Sequence, residues 1–230
     1  MVVELTRLLE VTGLRKSFGR IRVLELDFAL EPGDFCLLLG ENGVGKTTFF
    51  RCLLGLELFS GSIRIEGGPS TGLIHGVLDQ PMMYPRWSVA RNVRYLLNSS
   101  DALERPPIQS LIGKGLLRRR VGDLSTGQKK LVLLAIALAS EAPVILLDEF
   151  ANGLDQEARS RFRKAVQAEL AAGRRGFVAT GHDLAAFAEL PTRVLVMKDG
   201  GVLDVTGQYN SGISIEEIYE HHLARTHQGI

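Results

Sequence analysis

The sequence has few of the features that mark disulfide-bonded, secreted or membrane-spanning proteins. Its 230 residues include only two cysteines, Cys36 and Cys52, both in apolar segments typical of buried reduced thiols. The longest apolar run, 131–139, is far shorter than the roughly 20 residues that span a bilayer. The formal net charge of +1 gives no overall attraction to nucleic acid or anionic membranes. No secretory signal pattern is present at the N-terminus. We therefore expect a soluble protein without a nucleic-acid partner.

One stretch, 40–48, carries a phosphate-binding pattern. It fits G-x-x-x-x-G-K-[ST] and lies between an apolar run, 35–39, and a helix-like segment, 49–54. Glycines let the backbone wrap tightly and aim N–H groups at phosphate oxygens, and the helix N-terminus adds partial positive charge. The alternative is a glycine-rich turn that binds nothing. The pattern predicts a nucleotide-phosphate site formed by Gly40, Glu41, Asn42, Gly43, Val44, Gly45, Lys46, Thr47 and Thr48.

Two acidic residues complete a predicted magnesium site. Asp148 and Glu149 directly follow an apolar run, 144–147, that is typical of a strand buried on both faces. Ligands bind at the carboxyl ends of such parallel strands. We expect Lys46 to reach the β- and γ-phosphates, Thr47 and Asp148 to hold Mg²⁺, and Glu149 to orient and deprotonate an attacking water. The alternative is a pair of surface acids that open a turn.

Two more polar residues end predicted strands. Gln80 follows the apolar run 73–78 and is expected to contact Mg²⁺ or the attacking water; a simple turn residue is the alternative. His182 stands beside Gly181, where it is placed to contact a γ-phosphate or polarise water, although a lone histidine is more often structural.

A third feature precedes the apolar run at 131–139. Ser125 and Gln128 have the spacing of a capping box, which a helix needs for its own stability. Gly127 costs the first turn about 1 kcal/mol, which suggests that something approaches the backbone closely. A helix start carrying Ser and Gly is therefore a candidate second anion site.

The remaining patterns outline the architecture. Alternating residues at 8–30 predict antiparallel strands, and 81–122 reads as a small helical insertion. The arginines at 118–120 favour a solvated helix end over a nucleic-acid patch. Alternation around Asp199 predicts a hairpin, followed by a polar helix at 214–228.

Together these motifs resemble the nucleotide-binding subunits of ATP-binding cassette (ABC) transporters over nearly the whole chain. The resemblance identifies a Walker A loop at 40–47, a Q-loop at Gln80, a Walker B strand at 144–148, a catalytic glutamate at Glu149 and a switch histidine at His182. It also identifies residues 124–128 as the signature, close to the usual L-S-G-G-Q, and 152–155 as the D-loop.

The resemblance implies an α/β fold of the P-loop NTPase class, the ABC-ATPase fold. Its parts are a mainly parallel core sheet, an antiparallel β subdomain and a small helical subdomain. We expect one domain over 1–230, with the helical subdomain at about 82–140 and a C-terminal hairpin and helix at about 191–230.

The implied function is hydrolysis of ATP with Mg²⁺ to power a separate transmembrane permease subunit. Catalytic roles fall to Glu149, His182, Gln80 and Lys46, and Phe18 is expected to stack on adenine. In such proteins two copies pair head to tail. The signature of one copy, here Ser125, Gly127 and Gln128, then binds the ATP held by the other. A homodimer is expected, located in the cytoplasm and peripheral on the inner face of the cell membrane through the permease.

The sequence departs from the family pattern in several places. Phe18 stands where tyrosine is common, and Thr126 replaces a glycine of the signature. Phe150 replaces the usual proline after the catalytic glutamate, and Arg91 stands where an acid often precedes Asn92. The helical insertion is short, and Gln80-Pro81 followed by Tyr84-Pro85 looks similar to compact members such as the haem-exporter ATPases of cytochrome c maturation and the ABC-2-type exporters.

Two functions other than transport are open to a chain with these motifs. One is a soluble ABC-type ATPase with an assembly role. The sequence has neither the coiled coils of repair members nor the second cassette of translation factors. The other is a regulatory cassette that binds ATP without hydrolysis, which the presence of every motif residue disfavours.

Overall fold

The computed structural model describes residues 7–66, 73–78 and 83–223. In these ranges the chain forms two β-sheets with α-helices packed on them. The strands are β1 (Leu9–Phe18), β2 (Ile21–Leu30), β3 (Phe35–Leu39), β4 (Ser60–Ile65), β5 (Ile74–Val77), β6 (Val144–Leu147), β7 (Gly176–Ala179), β8 (Arg193–Lys198) and β9 (Gly201–Asp204). The helices are α1 (Lys46–Leu53), α2 (Val89–Leu96), α3 (Pro106–Leu111), α4 (Lys114–Leu117), α5 (Thr126–Ala139), α6 (Gln156–Ala171), α7 (Thr206–Asn210) and α8 (Ile215–Leu223).

The smaller sheet is antiparallel, in the order β2-β1-β4. Gly19, with φ of 60°, lies in the turn that joins β1 to β2. Buried and exposed residues alternate along much of both strands, so one face of the sheet packs on the core and the other faces solvent. The antiparallel sheet predicted from this alternation is confirmed.

The larger sheet has the order β5-β6-β7-β3-β8-β9 and is parallel from β5 to β8, with β9 antiparallel at its edge. Strands β3, β6 and β7 are buried along their whole length, as their continuous apolar sequences predict. Because the strands are parallel, the segments that follow β3, β6 and β7 emerge at one edge of the sheet. The α/β fold class is confirmed.

The two faces of the larger sheet belong to different apolar cores. Along β6, Val144 and Leu146 pack with α1 and the smaller sheet, whereas Ile145 and Leu147 pack with α5, α6 and the helical region. This division follows from the two-residue side-chain period of a strand. Cys36 and Cys52 are buried free thiols in the first of these cores.

The segment between β5 and β6 is largely helical. It includes two short helices, α3 and α4, which are separated at Ile112 and Gly113. Helix α5 is buried on most sides and packs against α3 and α6. Within the described residues, no helix has both the length and the apolar character needed to cross a membrane.

The C-terminal part continues the larger sheet. The turn between β8 and β9 contains Asp199 and Gly200, with φ of 51° and 79°, which suits the tight two-residue turns of hairpins. Helices α7 and α8 follow and pack on each other. Residues 224–228 of the predicted tail helix lie outside the described residues.

Candidate functional site

The phosphate loop joins β3 to α1 at the carboxyl edge of the larger sheet. Its glycines 43 and 45 have φ of 80° and 120°, which other residues rarely adopt. At Gly45 a Cβ atom would also lie 2.9 Å from Leu24 Cδ2. The sequence therefore needs glycine here to fold the loop tightly against β2.

Lys46 directly follows the loop glycines and is the first residue of α1. Its side chain is 7% exposed, and its Nζ atom donates to the carbonyl oxygens of Gly40 at 2.6 Å and Glu41 at 3.0 Å. Burial lowers the pKa of Lys46, and the nearby carboxylates of Glu149 and Asp148 oppose this shift. A cation held this way faces the region that the loop encloses, as a phosphate-binding lysine must.

Asp148 connects the ends of three elements. Its Oδ2 accepts a hydrogen bond from Thr47 Oγ1 at 2.9 Å, and its Oδ1 accepts one from Thr180 Oγ1 at 2.7 Å. Thr180 Oγ1 in turn accepts a hydrogen bond from the backbone N–H of Glu149 at 3.0 Å. The adjacent carboxylate of Asp148 and hydroxyl of Thr47 are oxygen donors of the kind that Mg²⁺ prefers. These residues fit the metal that the sequence predicts.

Glu149 occupies a strained backbone position. Its φ is 49°, in the left-handed region that is costly for residues other than glycine. Asn152 Nδ2 donates to Glu149 Oε2 at 2.6 Å, and His182 Nε2 lies 3.5 Å from Glu149 Oε1. His182 Nε2 also lies 2.8 Å from Asn42 Oδ1. The carboxylate is thus held between a D-loop amide and the predicted switch histidine.

Lys130, in the second turn of α5, is a contributor that the motifs do not identify. Its Nζ atom donates to the carbonyl oxygens of Glu149 at 2.8 Å and Asn152 at 2.7 Å. It therefore bridges the two ends of the turn that carries the Glu149 side chain. Lys130 is followed by the apolar run 131–139, but nothing in the sequence identifies the partners of its side chain.

Phe150, which stands in place of the usual proline, is buried in the core. It is 1% exposed and packs against Phe162 of α6, with 5.0 Å between ring centroids. A proline here would restrict Glu149 to extended backbone. The phenylalanine removes that restriction, which is compatible with the left-handed conformation of Glu149.

These segments converge on one open cleft with a volume of about 380 Å³. Its lining residues come from the phosphate loop, the end of β6, the D-loop and the segment after β7: Asn42, Gly43, Gly45, Lys46, Thr47, Thr48, Glu149, Asn152 and His182. The structure thus brings together the predicted phosphate, water and switch residues. Gln80, the remaining predicted catalytic residue, lies outside the described residues.

The signature residues do not line this cleft. Ser125 Oγ accepts from the backbone N–H of Gln128, and Gln128 Oε1 accepts from that of Ser125, both at 3.2 Å, so the capping box is formed. A Cβ atom on Gly127 would lie 3.7 Å from Ala158 Cβ and 3.9 Å from Gly153 O, which is ordinary contact. In this chain, α6 and the D-loop are therefore what approaches Gly127.

Phe18 is the last residue of β1 and does not belong to the group of residues that line the cleft. It is 49% exposed, and Lys16 Nζ lies 4.6 Å from its ring centroid. Lys16 is paired with Glu57, so the cation beside the ring is fixed. An exposed aromatic ring in this setting can stack on a planar group, although it does not line the cleft.

Comparison with known proteins identifies similar chains. A family profile described as ABC transporter matches residues 23–152. The SkfA peptide export ATP-binding protein SkfE of Bacillus subtilis is 31% identical over 211 residues, which cover 86% of this chain and 88% of that protein. The Fe(3+) ions import ATP-binding protein FbpC of Rhizobium etli is 36% identical over 207 residues, but these cover 83% of this chain and only 58% of that protein.

Solved structures agree on the fold. One described as the ATP binding subunit of an ABC transporter superposes with a TM-score of 0.82, at 24% identity, and covers 93% of this chain and 98% of that chain. The phosphate loop and the Walker B strand both fall within the matched family region, 23–152. Because the similar proteins are named for both import and export, the narrower likeness to compact exporters stays a prediction.

Proposed function

This chain belongs to the ABC transporter family of ATP-binding proteins, and we propose that it hydrolyses ATP in the cleft between its phosphate loop and Glu149. Members of this family are ATPases that use Mg²⁺. One observation supports the location: Lys46, the Thr47–Asp148 pair and Glu149 converge at the carboxyl edge of one sheet. This edge is where open α/β sheets bind ligands.

The phosphate loop binds and orients the triphosphate. Backbone N–H groups of residues 40–48 surround its oxygens, and Lys46 neutralises charge on the β- and γ-phosphates. Thr47 and Asp148 would hold Mg²⁺, which when bound neutralises charge on the same oxygens. Thr180 orients Asp148 by donating to its Oδ1. Positioned charge of this kind is most of what phosphoryl transfer requires.

Glu149 is the proposed base. Its Oε2 accepts a hydrogen bond from Asn152, its Oε1 lies 3.5 Å from His182 Nε2, and all three residues line the cleft. There the carboxylate can accept a proton from a water aligned with the γ-phosphate, and His182 can donate a hydrogen bond to the phosphate or the water. Gln80 is proposed to contact the metal or the same water.

A second copy of the chain completes the site. Ser125, Gly127 and Gln128 form the N-terminus of α5, an anion-binding feature that does not line the chain's own cleft. In a head-to-tail homodimer they reach the γ-phosphate held by the other copy, and Phe18 stacks on adenine. In this arrangement the N-terminus of α5 binds the γ-phosphate of the ATP that the other copy holds.

The proposed working partner is a transmembrane permease. The similar proteins are ATP-binding proteins of named import and export systems. The described part of this chain has no helix suited to span a membrane. We therefore propose that it acts in the cytoplasm, peripheral on the inner face of the membrane through the permease, and that hydrolysis drives transport by that subunit.

Affinity capture tests this partnership. Tagged Glu149→Gln protein, incubated with Mg-ATP, is recovered from solubilised membranes and its companions are identified by mass spectrometry. Slowed hydrolysis traps the closed dimer, so a polytopic membrane protein is expected at a stoichiometric level. Lys46→Ala protein is the matched control, because it has lost the phosphate contact needed for closure. Recovery of soluble scaffold proteins alone would favour an assembly ATPase instead.

A further inference from the structure

One arginine connects the D-loop to the segment that carries the switch histidine. Arg159 lies in the first turn of α6, directly after the D-loop. Its Nε donates to the carbonyl oxygen of Leu154 at 3.0 Å, and its Nη2 donates to Asp183 Oδ2. Leu154 belongs to the D-loop, and Asp183 directly follows His182. A single guanidinium therefore binds both segments.

The chemistry of arginine suits this double contact. The donors of a guanidinium form a planar, rigid fork, so a backbone carbonyl and a carboxylate that both bind to it are held in a fixed relative position. Lysine carries its donors on one ammonium group at the end of a flexible chain, and it would fix the same two partners less firmly. Arg159 therefore restrains the distance between the D-loop and Asp183.

Asp183 does not serve the helix that it precedes. It stands at the N-cap of a short 3₁₀ helix, Leu184–Phe187, where the side chain of an aspartate ordinarily accepts a hydrogen bond from a backbone N–H of the helix. The Asp183 side chain makes no such capping bond. Its carboxylate forms an ion pair with Arg159 instead. The local needs of the 3₁₀ helix therefore do not account for the direction of this side chain.

Apolar packing holds the same segment on α6. Phe187, the last residue of the 3₁₀ helix, packs edge-on against Phe162 of α6, with 6.0 Å between ring centroids. A Cβ atom on Gly181 would lie only 3.0 Å from Phe187 Cε2, so glycine lets the chain pass closely over this ring just before His182. Packing of this kind is not directional. The ion pair between Arg159 and Asp183 adds a directional contact on the other side of the histidine.

His182 depends on this segment for its position. Its Nε2 lies 3.5 Å from Glu149 Oε1 and 2.8 Å from Asn42 Oδ1, and its side chain is 38% exposed. A ring that is this exposed has few packed neighbours to hold it. The restraint on His182 must therefore come largely from the residues on either side, Gly181 against Phe187 and Asp183 against Arg159.

We propose that Arg159 is a positioning residue that couples the D-loop to the switch histidine through Asp183. While the ion pair is formed, His182 stays within reach of Glu149 and of the water that attacks the γ-phosphate. Without the pair, the switch segment moves independently of the D-loop, and His182 spends less time in that position. This inference rests on the proposed function and adds to it a residue that does not line the catalytic cleft.

A salt bridge that only stabilises the surface is the alternative role. The side chains of Arg159 and Asp183 are 36% and 23% exposed, and ion pairs in contact with solvent contribute little to the stability of a fold. Loss of a stabilising pair would leave the rate of hydrolysis unchanged. Loss of a positioning pair would lower this rate while the unfolding temperature changes little. Kinetics and thermal unfolding, measured on the same variants, therefore distinguish the two roles.

Steady-state hydrolysis of Mg-ATP by the purified chain tests the coupling. Arg159→Met should lower kcat about tenfold, because a misplacement of about 1 Å in an active site can cost about 100-fold in rate. The KM for ATP should change less than about twofold, since the phosphate loop keeps its contacts. Asp183→Ala should have the same effect, and Arg159→Lys should retain part of the rate. Arg163→Met is the matched control: Arg163 lies one turn further along α6 and belongs to no ion pair of the described residues, so kcat should be retained.

Two double variants show whether Arg159 acts through its proposed partners. Arg159→Met/Asp183→Ala should be no slower than either single variant, because the second change has no remaining ion pair to break. In a His182→Ala background, Arg159→Met should cause no further loss in single-turnover phosphate release with the protein in excess over ATP. If Arg159→Met does not fold, Asp183→Ala, which keeps the bond from the arginine to Leu154, provides the same tests.

The outcomes separate this inference from the function on which it rests. Wild-type kcat in Arg159→Met overturns the coupling and leaves the ATPase function intact. So does a loss that multiplies with that of Asp183→Ala, or one that persists at about tenfold in the His182→Ala background. A wild-type chain that is no more active than Glu149→Gln protein overturns the proposed function and this inference with it.

Discussion

Replacing Lys130 by methionine should slow ATP hydrolysis without weakening ATP binding. The change removes the two hydrogen bonds from Nζ to the carbonyl oxygens of Glu149 and Asn152, at 2.8 and 2.7 Å, while keeping an unbranched side chain. The Glu149 backbone is strained, and strained positions persist only where their surroundings restrain them. Without this restraint, the turn can relax and move the carboxylate away from the attacking water.

The size of the effect follows from the bonds that are lost. A hydrogen bond to a charged group contributes about 1.5–3 kcal/mol. If relaxation of the turn gains the equivalent of one such bond, the competent conformation becomes about 10- to 100-fold less populated, and kcat falls by the same factor. The KM for ATP should change less than about twofold, because Lys46 and Thr47 keep their contacts.

Steady-state phosphate release from the purified chain measures both constants. Lys129→Met is the matched control, since it removes the neighbouring lysine of the same helix and should retain wild-type kcat. Lys130→Arg, which keeps a charged donor, should recover part of the rate. In a Glu149→Gln background, Lys130→Met should have little further effect, because the lysine acts through the carboxylate.

Two results would refute this reasoning. If Lys130→Met hydrolyses ATP within about twofold of wild type, the carbonyl contacts do not position Glu149. If KM rises by the same factor as kcat falls, or the loss persists fully in the Glu149→Gln background, the lysine supports the structure in general and not the base. Thermal unfolding of the variants distinguishes a folding defect from the expected local change.

Three further predictions concern other residues of the fold and site. Thr180→Val removes a hydrogen-bond donor to the buried Asp148 and should lower the free energy of unfolding by about 1–3 kcal/mol, as measured by urea titration. Thr180→Ser keeps the hydroxyl and should leave the free energy of unfolding unchanged. Gly45→Ala forces alanine into φ of 120° and should weaken ATP binding by about 1–3 kcal/mol in calorimetry; unchanged affinity would contradict the loop geometry. Burial lowers the pKa of His75, and Arg175 lowers it further, so the unfolded chain binds more protons below about pH 6.5. The free energy of unfolding should therefore fall as the pH drops below this value, and His75→Asn should flatten that dependence.

Local sequence patterns predicted the parts of the site that are contiguous in the chain. Glycine spacing and the apolar run before it predicted the phosphate loop. The apolar run before Asp148 and Glu149 predicted that this acidic pair ends a buried strand. Parallel strand order then brings these segments to one edge of the sheet. This convergence could be predicted because the connections between parallel strands of one sheet allow few topologies.

Contacts between distant segments were not predictable in the same way. The bond from Thr180 to Asp148 and the bonds from Lys130 to the turn after β6 depend on how α5 and β7 pack on that strand. Gly127 is a further case: its presence in a first helix turn suggested a close approach to the backbone, and within this chain α6 and the D-loop lie at ordinary contact distance from it. These contacts depend on how side chains of distant segments pack, and such packing leaves no periodic pattern in the sequence.

In the proposed mechanism, ATP is hydrolysed between the phosphate loop of one copy and the signature of another. Mixing two inactive variants, Lys46→Ala and Ser125→Arg, and measuring phosphate release tests it directly. A mixed head-to-tail dimer contains one copy of each variant and two shared sites. One site combines Lys46 of the Ser125→Arg copy with Ser125 of the Lys46→Ala copy, so it is intact, whereas the other site carries both substitutions. The mixture should therefore recover about a quarter of the wild-type rate, since random pairing makes half of the dimers mixed. If each site were built within one chain, every site would carry a substitution and the mixture would stay as inactive as its components.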